Sequence, residues 1–160
     1  MSESSSSFLS SPFVAGFTSA VAVGAIGLLF MRKPSSVRNC SRITRWRDSP
    51  RSSAVLEHNG VVYVAGQVAN IPTLAETGIE EQTKQTLAKV DELLELAGTD
   101  KSNILSAQIW VKDIQRDFEG MNKVWNSWVT PNSKGVRACV ESRMAREHIL
   151  VEVKVIAALP

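Results

Sequence analysis

Two runs near the C-terminus decide the fold: Gly135-Val136-Arg137-Ala138-Cys139-Val140-Glu141 and Ile149-Leu150-Val151-Glu152-Val153-Lys154-Val155-Ile156. Both alternate with period two, the pattern of half-buried strands. In the first run Arg137 and Cys139 share a face, opposite Val136, Ala138 and Val140. In the second, Glu152 and Lys154 oppose Val151, Val153 and Val155. An arginine inside so apolar a strand has two readings. One is a cross-strand pair with a glutamate, worth at most about 1 kcal/mol if exposed. The other is a guanidinium aimed at a bound carboxylate.

Working outward, the Asn132 to Gly135 turn follows a helix that Asp113 can cap and Thr130-Pro131 ends; Ile114, Phe118, Met121, Trp125 and Trp128 recur along it at core spacing. Ile104 to Lys112 reads as a strand with Leu105, Ala107, Ile109 and Val111 on one face. Before it, Thr77-Gly78-Ile79-Glu80 fits a capping box. The helix it opens runs to about Ala97, with Ile79, Thr83, Leu87, Val90, Leu94 and Ala97 on one side and Gly98 as its stop. Asn59-Gly60 between Ala54–His58 and Val61–Ala65 is a hairpin signal. Ile43 to Trp46 supplies a short first strand, and Val68 to Gly78, with Pro72, a loop. The order β-β-β-α-β-α-β-β predicts an α+β two-layer sandwich: one mixed sheet of about six strands, with both helical stripes buried on one face.

The remaining sequence is divided by charge. Between Arg32 and Arg51 stand seven basic residues and the single acid Asp48, whereas from Ser52 onward 11 Lys+Arg face 14 Asp+Glu. A nucleic-acid binder carries its positive excess on the folded domain, so no nucleic-acid partner is expected. The two Cys, Cys40 and Cys139, and the two His, His58 and His148, make neither a CxxC nor a metal-ligand spacing. No glycine-rich nucleotide cradle occurs. The expectation is no metal and no cofactor.

Residues 1–12 are serine-rich, and 13–31 form an uncharged run of about 19 residues, long enough to cross a bilayer as a helix. Arg32 and Lys33 follow it directly, opening a basic linker over 32–41. Positive charge on that flank predicts a single-pass anchor with the 42–160 domain on the cytoplasmic or matrix side. The alternative is a leader removed on import into a plastid or mitochondrion.

Four side chains can carry chemistry. Arg137 has its two readings. Cys139 is a small semi-buried filler or a nucleophile. Asn122, beside Met121 on the second helix, faces solvent or is kept for a contact. Glu152, between valines, is a partner for Arg137 or a general acid/base. Trp110, Trp125, Trp128 and Met121 read as packing residues.

From about Ile43 onward the chain resembles the RidA/YjgF family of 2-imino acid deaminases, in its YoaB-like branch. The matching pieces, in order, are His58-Asn59-Gly60-Val61-Val62-Tyr63 with Ala65-Gly66-Gln67, Gln82-Thr83, Ala97-Gly98, Lys101-Ser102-Asn103-Ile104-Leu105, Trp110-Val111-Lys112-Asp113, Phe118-Glu119-Gly120-Met121-Asn122, Val136 to Glu141, and Val151-Glu152-Val153. The resemblance implies a chorismate-mutase-like fold, a homotrimer, and clefts between subunits. There 2-imino or enamine acids are hydrolysed to 2-oxo acids and ammonia without a cofactor. It implies Arg137 and Glu152 as catalytic, with Arg137, Cys139, Asn122, Gly66 and Ala65 contacting substrate. Two stretches depart from the family pattern: Pro50-Arg51-Ser52-Ser53 replaces a Pro-Tyr-Ser-Gln run, and Ala65 replaces a serine. Other readings are a non-catalytic trimeric binder of small carboxylates or a chaperone-like partner, and an endoribonuclease.

Overall fold

Val151, Val153, Val155 and Ala157 have no exposed surface, and the strand that carries them lies in the middle of the sheet. The computed structural model describes residues 42–160. These form strands β1 (Thr44–Asp48), β2 (Ser53–His58) and β3 (Val61–Gln67), helix α1 (Ile79–Leu96), strand β4 (Ile104–Val111), helix α2 (Ile114–Trp128), and strands β5 (Val136–Glu141) and β6 (Val151–Ala158). The sheet order is β1-β2-β3-β6-β4-β5. Only β4 and β5 run parallel; the other neighbours are antiparallel. Both helices pack on one face, so the expected α+β two-layer sandwich is what the chain forms.

Local signals account for most element boundaries. Asn59 and Gly60 both have positive φ (57° and 78°), the geometry of the two-residue turn that matches strand twist. Asp113 accepts a hydrogen bond from the Arg116 amide at 3.1 Å and caps α2 as expected. Gly98, at φ 85°, ends α1: its amide reaches the Glu95 carbonyl and that of Thr99 the Leu94 carbonyl. That pair of bonds is a Schellman stop.

Four expectations are corrected. The capping box does not form: Gly78 is the N-cap, Thr77 turns its hydroxyl back toward the Leu74 carbonyl, and Glu80 pairs with Lys123 at 2.9 Å instead. The 68–78 segment is not all loop, since Ile71–Glu76 is a 3-10 helix. A register shift between Ile104 and Ser106 places Ile104 in the core and leaves Leu105 exposed. On α2 the buried stripe passes through Asp117, Met121, Val124 and Trp125, so Phe118 lies outside it and is exposed.

The expectation of a single-pass membrane anchor is also corrected. The 13–31 run lies outside the described residues, and among the described residues no helix is long and apolar enough to cross a membrane. The longest, α1, carries Glu80, Glu81, Lys84, Lys89, Asp91, Glu92 and Glu95 and docks one apolar side on the sheet. Membrane attachment, and the cytoplasmic or matrix-side placement that rested on it, are withdrawn.

One buried side chain ties the segments beyond the sheet together. Gln82 on α1 is fully buried. The two N–H groups of its amide are shared among the carbonyls of Leu74 (3.1 Å), Thr77 (3.1 Å) and His148 (2.9 Å), and its carbonyl accepts from the Leu150 amide (2.9 Å). It thus satisfies backbone groups from both the 3-10 segment and the connection that leads into β6. Replacing Gln82 with leucine removes a partner from each of those groups, of which the Leu74 carbonyl is bonded in a buried position. The Gln82→Leu variant is expected to lose about 2–4 kcal/mol of stability in urea denaturation; a loss below about 0.5 kcal/mol contradicts the assignment.

Candidate active site

The two central candidates lie on opposite faces of the sheet. Arg137 is in register with Ala107 and Cys139 with Ile109, both core residues under the helices, so the Arg137–Cys139 face is the helix side. Glu152 is in register with Trp110, which also pairs with Val140, and that face looks away from the helices. The Arg137–Glu152 cross-strand pair is thereby excluded within one chain. The apolar residues of β5 are the outward ones: Val136 is 73% and Val140 43% exposed.

Arg137 is held by α2. Its Nη1 donates to Asn122 Oδ1 at 2.8 Å, and its guanidinium carbon stands 5.2 Å from the centre of the Trp125 ring. Asn122 is therefore kept for a contact, the orientation of this guanidinium. Arg137 forms no ion pair among the described residues, so its charge is free for an anionic ligand. Cys139 is a free, half-buried thiol packed against the core. Burial pushes its pKa up, with the Arg137 charge opposing. A thiol held protonated is a poor nucleophile, which favours the filler reading.

The outer face is organised by Gly66. A register irregularity between Val64 and Gln67 brings the β3 backbone close to β6, and a Cβ on Gly66 would stand 1.9 Å from Glu152 Oε1. The absent side chain is the space the carboxylate occupies. Ala65 is half-buried and its carbonyl accepts from the Gln67 side chain at 3.0 Å. Sequence reading took Trp110 as a packing residue; it lies half-buried on the outer face, in register with Glu152. The signal was its parity with Ser106 and Gln108, opposite Ala107, Ile109 and Val111. Gly135 was also missed as a positioning residue: a Cβ there would meet the Ile104 carbonyl oxygen at 2.5 Å, so glycine lets the turn into β5 pass close to β4. Among the described residues no group of three or more His, Cys, Asp or Glu could hold a metal ion.

Comparison with known proteins agrees with this architecture. A family model described as Endoribonuclease L-PSP matches residues 48–159. A RutC family protein of Haemophilus influenzae is 42% identical over 72% of this chain and 97% of its own length. The RutC family protein YoaB of Escherichia coli is 37% identical over 73% of this chain and 98% of its own. The chain belongs to the RidA/YjgF family, in its YoaB-like branch. A crystal structure of a YjgF family member from Neisseria meningitidis superposes with a TM-score of 0.68 at 36% identity, covering 74% of this chain and 96% of the other. The RidA/YjgF family is in general one of hydrolase-like deaminases, and this chain shares its fold across the whole β1–β6 domain.

The two glycines make separable predictions. Gly66→Ala meets only the far end of a side chain, so Glu152 can swing aside at a cost of no more than about 1.5 kcal/mol. A crystal structure should show its carboxylate displaced over an unchanged sheet. Gly135→Ala meets backbone and should cost about 1–3 kcal/mol. Equal destabilisation, or an undisplaced Glu152, would count against the close-approach account.

Proposed function

We propose that the protein hydrolyses 2-imino acids to 2-oxo acids and ammonia, in a site formed between copies of the chain. The observation that carries this reading is the Arg137 guanidinium, oriented by Asn122 and Trp125 and without an acidic partner among the described residues. Such a fork matches a substrate carboxylate through two parallel charge-assisted hydrogen bonds. With the carboxylate fixed, the adjacent C=N carbon is held in place for water.

Water adds to that carbon and the imine nitrogen takes a proton, giving a carbinolamine. The amine nitrogen then takes the proton that the hydroxyl gives up, the C–N bond breaks as the C=O bond forms, and ammonia departs. Glu152 is suited to position the water and move the proton, as a carboxylate over the open backbone of Gly66. Cys139, protonated and packed beside Arg137, lines the pocket without forming a bond to substrate; Ala65 and Gly66 contribute backbone on the Glu152 side.

A site that uses both Arg137 and Glu152 cannot form within one protomer, because the sheet separates them. A second copy solves this by bringing its outer face to the Arg137 edge of the first. The outer face is suited to such a contact, with Tyr63, Val136 and Val140 exposed there. A homotrimer with three such clefts satisfies every copy, and we take that as the assembly. Arg51 and Ala65, where other deaminases of the family carry tyrosine and serine, set this pocket apart.

The experiment is ammonia release from 2-iminopropionate or 2-iminobutyrate, made in place by an amino-acid oxidase. The wild type should accelerate it, and Arg137→Ala should lower kcat/KM by about 10²-fold, the loss expected for a charge-assisted contact. An oligomeric wild type with no acceleration would overturn the reading.

A further inference from the structure

A recess opens on the helix side of Arg137. It measures about 200 Å³ and lies where the end of α2, the turn into β5 and the start of β4 meet. Trp125, Trp128 and Ile104 give it apolar walls, and Lys101, Lys134 and Arg137 surround them. Among the described residues no acidic side chain lines it. Two carboxylates stand nearby and keep their charge: Asp91 accepts the indole N–H of the wall residue Trp128 at 2.8 Å, and Asp100, hydrogen-bonded by Ser102, feels the Lys101 charge. Lys101 Nζ stands 5.5 Å from the centre of the Trp128 ring, and neither lysine forms an ion pair among the described residues.

We propose that this recess is a side-chain subsite selecting dicarboxylic substrates, 2-imino acids of four or five carbons ending in a second carboxylate. The inference rests on the reading of Arg137 as the clamp for the first carboxylate. With Arg137 so occupied, Lys101 and Lys134 are the charges left for a distal anion, while the tryptophan walls cover the methylene stem. At about 30 Å³ per water, the space takes a side chain of several heavy atoms. An apolar side chain would gain the same wall contact but nothing from the ammonium groups, so the discrimination is by charge. One ammonium at contact distance in a water-like dielectric favours the dianion by about fivefold. The pair therefore predicts roughly tenfold or more, weakening with salt.

The test compares kcat/KM for the imine of aspartate or glutamate with that for 2-iminobutyrate, in wild type and in the Lys101→Gln/Lys134→Gln double variant. The wild type should favour the dicarboxylic imine by about tenfold at low salt, and in the double variant that ratio should fall toward one. A wild type that prefers 2-iminobutyrate, or a ratio unmoved by the double substitution, overturns the proposal. Calorimetric titration with 2-oxoglutarate and 2-oxobutyrate reads the subsite even if no imine is turned over. Preference for 2-oxoglutarate that depends on the lysines upholds the subsite while hydrolysis fails; equal binding, or no binding, overturns it.

Discussion

Alternation along β6 is the constraint on which the rest depends. Its odd-numbered residues Val151, Val153, Val155 and Ala157 are fully buried under the helices, and its backbone pairs with β3 on one side and β4 on the other. A slip of one residue would turn Glu152 and Lys154 into the core, so the register is fixed by the cost of burying charge. Once it is fixed, Glu152 must face outward. The pairing with β4 carries the same parity to β5, where Arg137 and Cys139 must face the helices.

Function follows from that division of faces. Each protomer presents a guanidinium oriented by Asn122 beside α2, and a carboxylate over a glycine gap on the far side of the sheet. Neither arrangement completes a hydrolytic site. The exposed Tyr63, Val136 and Val140 on the outer face and the split of the two charged groups point the same way, to a proposed site assembled from two copies. Gln82 holds the connection into β6 in place from the other end, through its bond to the Leu150 amide.

Much of this was legible in the sequence. The period-two runs, Asn59-Gly60, Asp113 and Gly98 each imposed their element through local physics, and the resemblance of motif order to the RidA/YjgF family agreed with them. What was illegible depended on tertiary context. Period two shows that β5 has two faces but not which is buried, and its apolar face proved to be the open one. The shift at Leu105 is a one-residue irregularity invisible to alternation. Phe118 lies just outside a buried stripe that runs through Asp117, a residue whose burial depends on pairing with Arg116. The uncharged 13–31 run suggested a membrane span by length alone; the folded domain supplies no such element.

The central claim is that Arg137 of one copy acts with Glu152 of another. Subunit mixing tests it most directly. Arg137→Ala and Glu152→Gln variants, each strongly impaired alone, are unfolded together, refolded as mixed oligomers and assayed for imine hydrolysis. A site shared between copies predicts recovered activity in the mixture, because some interfaces pair an intact arginine with an intact glutamate. A mixture no more active than its parents, with mixed oligomers shown by mass spectrometry, would contradict the account.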